Sequence, residues 1–186
     1  MNVKKFLFGL LAVVGLQAQA ALVTINFDSY VAGTVFAAGT DFGGVKFNEN
    51  IQIWDSNQIP GTSGPNAIIN NDNFGGDLSG TFTTLVSSFS VFAGDNCCDL
   101  DSVTLSVYDS AMNLLGTDSF TNQAVGQKLQ VIAAGIKYFK LTQSGLVDYD
   151  DFTFDTGRGN TVPEPASLAL VGLALCGVGY VRRRKA

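Results

Sequence analysis

The sequence predicts an all-β fold: a single β-sandwich, jelly-roll-like, flanked by an N-terminal signal peptide and a C-terminal single transmembrane helix. Three observations carry that expectation. Runs rich in Val, Ile, Thr and Phe recur at about ten-residue spacing, separated by Gly, Asn, Asp and Ser. No helical period of apolar residues appears between the two terminal apolar segments. Those terminal segments are uncharged and bordered by basic residues, Lys4 and Lys5 at one end and Arg182 to Lys185 at the other.

The elements follow in order. Residues 1–20 read as a leader: Lys4 and Lys5 form the positive region, Phe6 to Leu16 the apolar region, and Gln17-Ala18-Gln19-Ala20 a small-residue cleavage site for signal peptidase. Residues 21–155 hold the sandwich. Leu22 to Phe27 alternates, with Val23, Ile25 and Phe27 on one face. Val45 with Phe47, and Ile51 with Ile53, predict two further strands. Residues 59–80, with Pro60-Gly61, Gly64-Pro65 and Gly75-Gly76, read as a long connection across one end of the sandwich. Val86 to Phe92 sets Phe89 and Val91 against Ser88 and Ser90. Val103 to Asp109 puts Val103, Leu105 and Val107 inward, with Thr104, Ser106 and Tyr108 outward. Ser110 to Asn113 predicts a type I turn with Asn113 left-handed. Leu129 to Ala133, Ile136 to Thr142 and Val147 to Phe154 complete about eight to ten short strands. On strict alternation Asp150 shares the face of Phe152 and Phe154, so it is at a strand edge, bonded to a neighbouring backbone, or a ligand; with Asp148 and Asp151 it forms an acidic cluster that pairing of the first and last strands brings toward Asp28. Residues 156–161 form a short linker.

Charge and composition narrow the function. Between leader and tail stand five basic and 15 acidic residues, a net charge of -10. Such a surface disfavours nucleic acid and anionic membrane, and suits cations or neutral polymers. There is no histidine. That removes the commonest general base, the histidine-dependent triads and the usual zinc ligand. Paired carboxylates remain available for glycoside hydrolysis, yet only Glu49 and Glu164 are glutamates, and no motif marks an acid and a nucleophile. A non-enzymatic domain is expected; a glycan-active hydrolase and an adhesive matrix protein without a small ligand are the rival classes.

Two constellations are candidate sites. Asp95-Asn96-Cys97-Cys98-Asp99-Leu100-Asp101 gathers three carboxylates and an amide, and Asp95, Asn96, Asp99 and Asp101 are candidate calcium ligands, since Ca²⁺ takes six to eight oxygens at adaptable angles. A solvated acidic turn is the alternative. Within it, Cys97 and Cys98 form a vicinal disulfide or remain two thiols, because Cys176 lies in the apolar tail. Trp54, Asp55 and Asn57 offer one aromatic plane beside an acceptor and an amide, suited to stacking on a sugar ring. The alternative is a tryptophan in the core.

Val162-Pro163-Glu164-Pro165, the uncharged stretch Ala166 to Val181 and the basic cluster Arg182-Arg183-Arg184-Lys185 stand in fixed order. As a helix the 16-residue stretch rises about 24 Å, somewhat short of a hydrocarbon core. This order resembles the PEP-CTERM sorting signal of Gram-negative bacteria. The resemblance implies exosortase as processing partner, a transient hold in the inner membrane, delivery to the cell surface and an association with exopolysaccharide and biofilm. Asp99 to Gly116 resembles exported β-sandwich domains bearing this tail. Asp150-Asp151-Phe152-Thr153-Phe154 resembles the closing strand of jelly-roll carbohydrate-binding modules. That second likeness implies a structural calcium where first and last strands meet, with Asp28 and Asp151 as ligands, although the matching glutamate on an early strand is missing.

Overall fold

A computed structural model of the chain describes residues 21–55, 59, 61–95, 100–123 and 126–156. The leader, the sorting tail, Asn57, Asn96, Cys97, Cys98 and Asp99 lie outside the described residues. Those described form ten strands and no helix: β1 (Leu22–Ile25), β2 (Val35–Phe36), β3 (Val45–Phe47), β4 (Ile51–Asp55), β5 (Asn66–Asn70), β6 (Leu78–Gly94), β7 (Leu100–Tyr108), β8 (Leu114–Gln123), β9 (Gln127–Ser144) and β10 (Asp148–Asp155). They join in one sheet in the order β2-β4-β5-β10-β6-β9-β7-β8, with β1 on β10 and β3 on β6. Every pairing is antiparallel. The fold is all-β, as expected.

Alternation decides what the sheet encloses. Val103, Leu105 and Val107 are fully buried and meet Phe139 and Leu141 of β9 across the register. Phenylalanine supplies most of the remaining bulk. Phe152 lies edge-on to Phe47 at 5.2 Å and to Phe27 at 5.8 Å, tying β10 to β3 and to the chain just after β1. Edge-to-face pairs add about 0.5–1.5 kcal/mol each beyond the area they bury. Gly80 lets this packing close: a Cβ there would fall 2.5 Å from the Phe139 ring.

Three local expectations change. The stretch 59–80 is not one long connection, because it contains β5, buried at all five positions, and the start of β6. Asn66 and Asn70 look like turn residues, but their side chains bind neighbouring loops while their backbones stay in the strand. Asn66 Nδ2 donates to the Tyr30 carbonyl at 2.8 Å, and Asn70 Nδ2 to that of Asp77 at 2.6 Å. The two runs of residues 129–142 are one 18-residue strand, β9, and its partner β6 has 17 residues. Between them the register slips, from Thr81 opposite Tyr138 to Val86 opposite Ile136, and Lys137 Nζ satisfies the freed Phe82 carbonyl at 2.6 Å. In the 109–113 turn the left-handed residue is Met112 (φ 64°) and not Asn113. The Asp109 carboxylate accepts from the amides of Ala111 and Asn113 and from Asn113 Nδ2, which holds Asn113 as a donor.

Candidate functional site

The first and last strands pair, Leu22 to Ile25 against Asp155 to Phe152, and this carries Asp28 to the middle of β10. There β10 bulges. Asp150 stands opposite Phe92 and Thr153 opposite Ser90, so three steps on β10 match two on β6. Asp151 takes the extra position with φ of 50°, a conformation L-residues seldom adopt. The slip moves Asp150 to the face opposite Phe152 and Phe154, contrary to strict alternation. It is not a core residue by orientation; it is covered from outside, with no accessible surface left.

Around Asp150 sit Asp28, Asp151 and Ser63. Ser63 Oγ donates to Asp28 Oδ2 at 3.2 Å, and the Asn66 amide approaches Asp28 Oδ1 at 3.4 Å. Gly64 allows this closeness, since a Cβ there would lie 2.2 Å from Asp28 Oδ1. Both carboxylate oxygens of Asp150 are buried without a hydrogen-bond partner. Burial above all pushes its pKa up to about 8; the Asp151 amide opposes this, the charges of Asp151 and Asp28 add to it by less, and the Ser63 amide opposes it least. A carboxylate so placed needs a proton or a cation. Ca²⁺ fits the chemistry, because it accepts two or three carboxylates and fills its shell with backbone carbonyls and water. Among the described residues no three acidic or thiol side chains close around a single point, so side chains alone do not make the set.

The other acidic group lies where β6, β7 and β10 end. Asp101 is buried in phase with Val103, and Asp148 pairs in register with Gly94, next to Asp95. Burial, followed by the charges of Asp95 and Asp101, raises the Asp148 pKa to about 7. The sequence groups Asp148 with Asp150 and Asp151, whereas the charges acting on it are those of Asp95 and Asp101. Asn96 and Asp99, both expected ligands, lie outside the described residues.

Trp54 is half-buried, on the face of β4 opposite Ile51 and Ile53. It sits edge-on to Phe74 at 5.4 Å, and Phe74 itself is exposed. Asp55, the next residue of an extended strand, turns to the other face. Trp54 and Asp55 are therefore not brought together, and Asn57 lies outside the described residues. Sequence reading missed Phe74, whose approach to Trp54 depends on the β4–β5 pairing.

Residues 161–185 match the family model described as the PEP-CTERM protein-sorting motif. No curated protein matches the sequence. Solved structures similar to the domain include a carbohydrate-binding module, CsCBM6-3, from Clostridium stercorarium in complex with cellobiose, at 18% identity over 73% of this chain and 94% of that one, with a TM-score of 0.36. CBM51 from Clostridium perfringens GH95, in complex with methyl-galactose, matches at 14% identity over 71% and 99%, with a TM-score of 0.37. The CBM22-1-GH10 modules of a Clostridium thermocellum xylanase, complexed with xylohexaose, match at 17% identity over 70% and 29%, with a TM-score of 0.43. The chain spans only 25% of an arabinofuranosidase that it also matches. All of these likenesses stand at TM-scores below 0.5. The tail is more specific: it is a PEP-CTERM sorting motif, and it marks the chain as an exported, membrane-transiting precursor that exosortase sorts to the cell surface.

Proposed function

We propose that this is a non-enzymatic surface protein of a Gram-negative bacterium, which associates with exopolysaccharide in a biofilm matrix and carries a calcium-supported β-sandwich. The sorting motif at residues 161–185 carries this reading, because it commits the domain to the cell exterior. Signal peptidase removes residues 1–20 and exosortase acts at Pro163-Glu164-Pro165. The lack of histidine supports a non-catalytic role. So does Glu49, the sole glutamate outside the tail, which is held by the Ser79 amide at 2.9 Å and hydroxyl at 2.7 Å. Calcium is assigned first to Asp28, Asp150 and Asp151, where it would neutralise a buried carboxylate that faces two further acids. Asp95 and Asp101, with Asn96 and Asp99, form a second set of the same chemistry. Glycan contact is assigned to exposed aromatic surface, of which Trp54 with Phe74 is one patch.

Intact-mass measurement of the protein from surface and medium fractions tests this reading. Loss of residues 1–20 and of everything beyond Pro165 is expected. Full-length chains ending Arg184-Lys185-Ala186, found only in the inner membrane, would make the tail a plain anchor.

A further inference from the structure

The solvent face of β6-β9-β7-β8 differs from the rest of this acidic domain. Registered partners share a face, so each row across the strands can be read directly. One row runs Thr81, Tyr138, Tyr108. The next runs Ser79, Lys140, Ser106, Thr117. Thr142 and Thr104 continue the pattern toward the far end of β7. Successive rows on one face lie about 6.8 Å apart along the strands, and neighbouring strands about 4.8 Å apart. The result is a grid of hydroxyls with two tyrosines at one end, backed by Phe139 and Val107 of the core.

Lys46, registered opposite Thr81, extends the tyrosine row with one cation, and the other charges at this end are paired or hydrogen-bonded. Lys140 Nζ pairs with Asp77 at 2.8 Å, and Glu49 accepts from Ser79. Asn48 Nδ2 donates to Ser79 Oγ at 2.9 Å, so Asn48, Ser79 and Glu49 form a polarised chain along one rim. The opposite rim is Met112, 61% exposed, whose left-handed backbone sets it at the tip of the β7–β8 turn. Between the rims lies a cleft of about 500 Å³, lined by both tyrosines. That volume falls within the range of small-ligand sites, and aromatic planes among a few fixed polar groups are their usual make-up.

We propose that this cleft binds a neutral, linear oligosaccharide, with sugar rings on Tyr108 and Tyr138 and ring hydroxyls along Asn48, Ser79, Thr81 and Lys140. Two features select that chemistry. Hydroxyls and a neutralised ion pair exchange hydrogen bonds with a polyol without leaving a buried charge unpaired. The domain's net charge of -10 disfavours polyanions, and so acidic polysaccharides, as occupants. The inference rests on the glycan-associated reading above and moves the contact from Trp54 to the opposite end of the strand order.

The test is a titration of the full chain, purified in detergent, with hexasaccharides of neutral plant and bacterial type and with oligogalacturonate as the anionic arm. Binding of at least one neutral hexasaccharide is expected, and none of the anionic one. Tyr108→Ala and Tyr138→Ala should each weaken binding about 3- to 10-fold, while Tyr138→Phe, which keeps the ring, retains it. The emission of Trp54, the only tryptophan, should not change on binding. Undiminished binding by the doubly substituted chain, with loss in Trp54→Ala or a shift in tryptophan emission, would overturn this site and leave the glycan reading intact. Failure of the parent chain to bind any neutral hexasaccharide would overturn both. Cooperative melting of the tyrosine variants, whose side chains are half-buried on this face, with a loss of no more than about 1 kcal/mol, guards against misfolding as the cause.

Discussion

Asp148 and Asp150 stand two residues apart on the same face of the same strand, yet they keep different company. Asp148 faces the end of β6, where Asp95 and Asp101 are close in sequence to one another. Asp150 faces Asp28 and Ser63, drawn from far along the chain by the β1–β10 pairing and by the segment leading into β5. In the first group the acids are dense because the sequence is dense. In the second a carboxylate is enclosed from outside with neither oxygen satisfied, at a bulge that places a non-glycine residue in a left-handed conformation. An arrangement that costs stability twice persists when something else offsets it. A buried carboxylate without a hydrogen-bond partner needs a proton or a counter-charge, whereas acids gathered by local sequence and left near water need neither.

Three perturbations sharpen this contrast. The largest effect belongs to the strand that both groups share. Phe152→Ala removes a fully buried ring that ties β10 to β3 and should cost about 3–5 kcal/mol, destabilising both acidic groups together. Thermal unfolding would measure it, and a loss under about 1 kcal/mol would mean that β10 is not fastened through this core.

The next effect is on pH dependence in the presence of chelator. Folded Asp150 keeps its proton up to about pH 8 and Asp148 up to about pH 7, whereas both lose it near the ordinary carboxylate value of 3.8 when unfolded. Folding therefore takes up protons between these limits, and stability should fall as pH rises from about 4 to 8. Asp150→Asn should abolish the fall between about pH 7 and 8 and roughly halve the slope between about pH 4 and 7, where Asp148 still contributes. A melting temperature flat across this range would show that neither carboxylate is enclosed.

The smallest effect lies away from both groups. Trp54 is half-buried against an exposed Phe74, so Trp54→Ala should cost only about 1 kcal/mol. A loss as large as that for Phe152 would put the tryptophan in the core.

What the sequence disclosed depended on the range over which its signals act. The all-β class and the faces of Val103, Leu105 and Val107 follow from local alternation, and the sorting tail from linear order, so all were legible. The position of Asp150 was not, because one bulge at Asp151 reverses the face that strict period two assigns to it. Strand β5 was hidden because Asn66 and Asn70 carry the chemistry of turns while lying in a strand. The tyrosine row was invisible for another reason. Tyr108 and Tyr138 are 30 positions apart, and only the β7–β9 register makes them neighbours.

The claim that the Asp28–Asp150–Asp151 junction holds a cation is tested most directly by melting the protein at pH 7.5 in chelator and in Ca²⁺ at about a hundredfold over its dissociation constant. A ligand bound only by the folded state stabilises by about 2.7 kcal/mol at that ratio, or about 5–10 °C for a chain of this size. The account predicts that rise in the parent chain, and a larger part of it lost in Asp150→Asn than in Asp95→Asn. Equal melting with and without Ca²⁺ would contradict it, and so would a rise that survives Asp150→Asn but disappears in Asp95→Asn.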